Sequence, residues 1–93
     1  MTKFVQKTFI IQNAKGMHAR AAAQFVHCAE QFQSHIMVDK DGIDVPATSI
    51  MGLLLLAATQ NSAIHISAQG EDAENAVDAL GILIMNAFGE DDI

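Results

Sequence analysis

Lys15-Gly16-Met17-His18-Ala19-Arg20-Ala21 reads as a glycine turn, a histidine and the opening of an alanine-rich helix. The first turn of a helix leaves backbone N–H groups without intrahelical partners, and the aligned peptide dipoles place partial positive charge there. Such an end suits an anion, phosphate above all. Here it would also carry a guanidinium, Arg20, and an imidazole nucleophile, His18; histidine is among the side chains that form covalent intermediates. The pattern points to a phosphoryl-accepting histidine. A histidine before a helix also serves as an ordinary cap or surface residue, so the rest of the chain has to decide between the two.

On the N-terminal side, Lys3 to Ile11 alternates apolar and polar residues. This predicts a strand with Val5, Phe9 and Ile11 on one face and Gln6 and Thr8 on the other. Asn13 to Gly16 is a loop. On the C-terminal side, Ala22, Phe25, Val26, Ala29 and Phe32 fall at helical spacing, which predicts a helix from about Ala19 to Gln31. Ser34 to Lys40 is a second strand with Ile36 and Val38 inward. Asp41-Gly42 is a two-residue hairpin signal leading to a short strand, Ile43 to Val45. Pro46 ends that strand and marks it as a sheet edge.

Thr48 or Ser49 can cap a short helix from Ile50 to about Leu56. Asn61-Ser62 is a turn, and Ala63 to Ala68 is a fourth strand with Ile64 and Ile66 inward and His65 and Ser67 outward. Gly70-Glu71-Asp72 opens the last helix, where Glu71, Asp72 and Glu74 suit the positive end of its dipole. Ala73, Ala76, Val77, Leu80, Leu83, Ile84 and Ala87 form its apolar stripe, Gly89 ends it, and Glu90 to Ile93 is a frayed tail. The order βαββαβα predicts an α+β open-faced two-layer sandwich, with a four-stranded antiparallel sheet and helices on one face. The polar outward residues suit a solvated sheet face.

The 93 residues fit one domain spanning 1–93. The single cysteine, Cys28, cannot form an internal disulfide and suggests a reducing compartment; it sits among core residues. The N-terminus lacks a signal-peptide pattern, and the most apolar run, Ile50 to Ala58, is far short of the about 20 residues a membrane helix needs. These features suggest a soluble, cytoplasmic protein with no membrane insertion. The net charge of −6 argues against nucleic acid. Residues 1–40 hold all five basic residues and two acidic ones, whereas residues 41–93 hold nine acids and no Lys or Arg. His18 therefore lies in the one basic part of an acidic chain, a patch suited to phosphate or an acidic partner.

The residues that carry a resemblance are Gly16-Met17-His18-Ala19-Arg20, Ala23-Gln24-Phe25-Val26, Thr48-Ser49-Ile50-Met51-Gly52-Leu53 and Ser67-Ala68-Gln69-Gly70-Glu71-Asp72. In order and spacing, over nearly the whole chain, they resemble the HPr family. Its members are the histidine-containing phosphocarriers of the bacterial phosphoenolpyruvate-dependent phosphotransferase system, which serves sugar uptake or its regulation. The resemblance implies that His18 takes a phosphoryl group on Nδ1 from phosphorylated enzyme I and hands it to an enzyme IIA. It implies that Arg20 neutralises the phosphoryl oxygens and that backbone amides near Ala19 and Arg20 help hold them. Ser49 would be a regulatory site for HPr kinase/phosphorylase, and Ile50, Met51 and Leu54 part of the partner-docking surface. Such a protein is a covalent carrier and not an enzyme, needs no cofactor or metal, and works most simply as a monomer.

The physics agrees with these assignments. Phosphoryl transfer depends on positioning and charge neutralisation. The nucleophile has to be neutral imidazole, and the positive charge of Arg20 and of the helix end disfavours imidazolium. Ser49 also has a plain structural use as a helix N-cap, worth roughly 1 kcal/mol.

Two positions depart from the family pattern. Ala21 replaces a usual proline, which loosens the first helical turn, and Asn61 replaces a common glycine. The ending Phe88-Gly89-Glu90-Asp91 resembles the nitrogen-related branch, NPr, and the alternative function is a non-catalytic docking module of that branch. His27, His35 and His65 carry no motif, and His18, His27 and Cys28 lack the paired spacing of a zinc site.

Overall fold

Ile64, Ile66 and Ala68 alternate with His65 and Ser67 along β4 (Ala63–Gln69), the strand on which the sheet is built. The computed structural model of the chain describes residues 2–90. β4 pairs antiparallel on one side with β1 (Phe4–Ile10) and on the other with β2 (His35–Lys40), and β2 pairs in turn with β3 (Ile43–Pro46). The sheet order is β1-β4-β2-β3, which places the proline-bearing strand at an edge as its sequence requires.

The register aligns the inward residues in rows, Val5 with Ala68 and Ile36, and Ile66 with Val38 and Val45. Ile64, Ile66 and Val38 are fully buried beneath the helices. The opposite face carries Thr8, His65, Asp39 and Asp44 in one cross-strand row, and Thr8 Oγ1 meets His65 Nδ1 at 2.8 Å. The β2–β3 hairpin turns on Asp41 and Gly42, both left-handed (φ 54° and 83°), as the sequence pair predicts.

α1 (Ala19–Ala29) and α3 (Ala73–Met85) cover the inner face, and the short α2 (Ile50–Leu55) packs against α1. Ala21, Ala22, Phe25, Val26 and Ala29 form the buried stripe of α1. The helix stops two residues before the expected Gln31, because the amides of Gln31 and Phe32 bond the carbonyls of Cys28 and Ala29 and tighten the last turn. Phe32, expected in the helix stripe, instead packs against the core from beyond the helix end. Cys28 is half-buried, and burial pushes its thiol pKa upward.

α3 also ends early. Its pattern predicts a helix reaching Gly89, but it stops at Met85, and Ala87 and Phe88 adopt left-handed backbone (φ 55° and 54°) that no helix continues through. Within α3, Gly81 is buried, and a Cβ there would run into the Phe9 ring. The apolar stripe read from sequence leaves it out because glycine carries no side chain to count. The tail expected from Glu90 onward is anchored at Glu90; Asp91 to Ile93 lie outside the described residues.

Asp72 sits at the N-cap of α3, where its charge suits the dipole, but it makes no side-chain cap bond and works across the structure as well. Its carboxylate accepts the amides of Gln33 (2.8 Å) and Ser34 (3.0 Å) and the Ser34 hydroxyl, tying the α1–β2 loop to the start of α3. The Ser34 hydroxyl, then the Gln33 amide, hold the Asp72 carboxyl below its ordinary 3.8. As pH falls, the unfolded chain therefore takes up this proton first. The stability Asp72 contributes is whole above about pH 3.8 and is lost as pH drops through the lower folded value. Asp72→Asn is expected to lower the urea midpoint at pH 7, with the gap to the parent chain narrowing only below about pH 3.8. A gap that is constant with pH would contradict the assignment.

Candidate functional site

Gly16 sets the geometry from which the site is built. Its φ is +65°, and a Cβ there would strike the Ala58 carbonyl, so only glycine lets the two backbones meet. The next amide, that of Met17, donates to Ala58 O at 2.9 Å, and Met17 is buried. The chain is thus pinned one residue before His18.

His18 is the N-cap of α1 in extended backbone (φ −79°, ψ 179°), and its side chain makes no capping hydrogen bond. The imidazole is thereby left for other work. The first intrahelical bond runs from the Ala22 amide to His18 O at 2.8 Å. The amides of Ala19, Arg20 and Ala21 therefore belong to the turn whose donors point out of the helix end. Ala21, at the position of the family's usual proline, is fully buried.

His18, Arg20, Lys15, Gln24, Phe88, Gly89 and Glu90 line one open cleft of about 590 Å³. Two cations and the helix end face it, with a single carboxylate opposite. The structure thus brings His18 and Arg20 to one cleft, while Ala19, the first residue of α1, is not among the residues that line it.

Glu90 is the residue that reading missed. Its Oε2 meets His18 Nε2, and its Oε1 accepts from Asn13 Nδ2 at 2.9 Å. Asn13 is fully buried and also donates to Gly16 O at 2.8 Å. Both partners of Nδ2 are pure acceptors, which fixes the orientation of the amide. Asn13 Oδ1 is buried without a hydrogen-bond partner among the described residues. His18 is 27% exposed and Glu90 17%. The hydrogen bond to His18, followed by that to Asn13, holds the Glu90 carboxyl below its ordinary 4.5. The sequence reading counts only the positive neighbours of the imidazole; the structure adds a carboxylate on its far nitrogen. Glu90 lies 72 positions from His18 in the chain, and only the left-handed turn at Ala87 and Phe88 brings it back.

Ser49 caps α2, its hydroxyl accepting from the Gly52 amide at 2.9 Å, as expected. Gly52 is required beside it, because a Cβ would crowd Val45 Cβ at 2.9 Å. Of the expected docking residues, Ile50 (40%) and Met51 (71%) are exposed, whereas Leu54 packs partly against the core. Leu55, at 74%, is the larger apolar surface and is not singled out by the sequence. His27 and His35 are exposed. Among the described residues no group of three or more His, Cys, Asp or Glu is placed to hold a metal ion, and no helix is long and apolar enough to cross a membrane.

The family model described as "PTS HPr component phosphorylation site" matches residues 5–86. The phosphocarrier protein HPr of Xylella fastidiosa (strain 9a5c) is 41% identical over 87 residues, covering 94% of this chain and 98% of that protein. The crystal structure of HPr from Thermoanaerobacter tengcongensis superposes with a TM-score of 0.90 at 45% identity, covering 94% of this chain and 98% of that one. HPr from Bacillus anthracis gives 0.84 at 42% identity, covering 87% and 96%. Nothing in these likenesses singles out the nitrogen-related branch.

Gly16→Ala is expected to destabilise the fold by more than the roughly 1–2 kcal/mol of a left-handed non-glycine residue, because the added methyl also meets the Ala58 carbonyl. Thermal unfolding checks this. His18→Ala, which removes a side chain with no capping bond, should cost less.

Proposed function

This chain belongs to the HPr family, the phosphocarrier proteins of the bacterial phosphotransferase system, and from that premise we propose that His18 is the residue that carries the phosphoryl group. The carrier is not itself an enzyme. The observation that supports His18 is its placement as the N-cap of α1, uncommitted to capping, in one cleft with Arg20 and Lys15.

In this reading the neutral imidazole attacks the phosphorus of phosphorylated enzyme I through Nδ1, since Nε2 is occupied by Glu90. Arg20 neutralises the phosphoryl oxygens. The outward amides of Ala19 and Arg20 bind them, as helix ends bind anions. Charge neutralisation and positioning are what phosphoryl transfer asks of a protein. The group then passes to an enzyme IIA in the reverse sense, with the same residues releasing it.

The partners would dock on the exposed apolar residues of α2, Ile50 and Met51, with Leu54 beneath and Leu55 beside them. Phosphorylation of Ser49 by HPr kinase/phosphorylase would put nearly two negative charges at the start of α2, beside those residues, and repel an acidic partner. The helix end itself tolerates that charge.

Phosphoenolpyruvate and a purified enzyme I should add one acid-labile phosphoryl group by intact mass, absent in His18→Ala. Arg20→Ala should slow the transfer on the order of a hundredfold, the usual consequence of losing one charge-stabilising donor. Undiminished labelling of His18→Ala would exclude His18 as the acceptor.

A further inference from the structure

The reading of His18 as the phosphoryl acceptor leaves open what decides which of its two nitrogens is the nucleophile. A free imidazole exchanges its proton between Nδ1 and Nε2, and only the nitrogen without the proton has a lone pair to offer. We propose that Glu90, held by Asn13, is the positioning residue that keeps the proton on His18 Nε2 and so leaves Nδ1 free to take the phosphoryl group. This rests on the carrier function assigned to His18 above.

The arrangement of donors and acceptors supports the assignment. An ionised carboxylate accepts at both oxygens and donates at neither. Oε1 is committed to the buried Asn13 amide, and Oε2 faces His18 Nε2, which must therefore bear the hydrogen. Asn13 cannot turn to offer its own oxygen, because Nδ2 also serves Gly16 O. The brace runs from the turn that pins the helix start, through a fully buried side chain, to the ring. Carboxylate–histidine pairs elsewhere fix tautomer and ring orientation and oppose the positive charge the ring gains during reaction.

The charges balance through the step. The Nδ1 lone pair forms the new N–P bond, and the bond from phosphorus to the donor atom of phosphorylated enzyme I breaks with its electron pair going to that atom. The proton stays on His18 Nε2. The ring becomes a phosphorylated imidazolium, and its new positive charge lies against Glu90 while the phosphoryl oxygens face Arg20 and Lys15. The carboxylate thus interacts more strongly with the phosphorylated ring than with the free one, which is the condition for favouring transfer. A glutamine cannot replace it. Its one carbonyl oxygen can take the place of Oε1 or of Oε2 but not both, so its NH₂ would face either Asn13 Nδ2 or His18 Nε2.

The test compares the parent chain, Glu90→Gln and Glu90→Ala. Long-range ¹H–¹⁵N spectra of His18, taken where the ring is neutral, report the tautomer directly. Enzyme I with phosphoenolpyruvate reports the rate and extent of loading. The parent is expected to show protonated Nε2 and unprotonated Nδ1. Both variants should gain the Nδ1–H form and load roughly tenfold more slowly or worse, while still reaching one phosphoryl group per chain. A parent tautomer retained in Glu90→Ala, whether or not the rate falls, would overturn the proposal, since a merely structural role leaves the tautomer alone. Failure of the parent to load from an enzyme I that loads a control carrier would instead count against the carrier reading, and the tautomer comparison would still decide the role of Glu90.

Discussion

The contact between the backbone at Gly16–Met17 and the carbonyl of Ala58 holds the functional end of the molecule in place. It joins the loop before α1 to the loop after α2 through a 2.9 Å hydrogen bond at a spacing that no side chain at residue 16 would permit. The start of α1 is thereby fixed, and with it the direction of the outward amides, the position of His18 and the side of the helix on which Arg20 stands. The sheet needs none of this to form, because its rows of Ile64, Ile66, Ile36 and Val38 bury themselves against α1 and α3. The glycine contact is what fixes the end of the sandwich at which His18, Arg20 and Lys15 line one cleft.

The second half of the site comes from the other end of the chain and is held under strain. Ala87 and Phe88 sit in left-handed backbone, at roughly 1–2 kcal/mol each for residues with a Cβ. Such conformations persist where the surroundings over-determine them, and they gather at functional sites. Here the buried Phe88 ring holds the turn, and Asn13 holds Glu90 just beyond it. The result is a carboxylate on the far nitrogen of a histidine whose near side is lined with positive charge.

Much of this is legible in the sequence. Alternation in β1, β2 and β4, the Asp41-Gly42 hairpin and the apolar stripes of α1 and α3 are local patterns with local causes, and they lead to the right layers. His18, Arg20 and the Ser49 cap are equally local, since each depends on a helix start a few residues away. Asn61 in left-handed backbone (φ 73°) also follows from its residue type. The features that escape are non-local. Gly81 matters because Phe9 presses on it from another element, and Asp72 acts on Gln33 and Ser34 39 and 38 positions away. Glu90 reads as tail because nothing near it in the chain announces Asn13 or His18. A buried asparagine before the glycine turn is the one available hint, and by itself it names no partner. Leu54 is implied by the resemblance, and the sequence cannot set Leu55 above it, because the register of a short apolar helix does not reveal which side faces the core.

The central claim, that this fold presents Nδ1 of His18 as the phosphoryl-bearing atom, is tested most directly by ³¹P and ¹⁵N NMR on the phosphorylated, ¹⁵N-histidine-labelled protein. The account predicts a one-bond coupling between phosphorus and His18 Nδ1, with Nε2 still carrying its proton. Phosphorus coupled to Nε2, or to any of His27, His35 and His65, would contradict it.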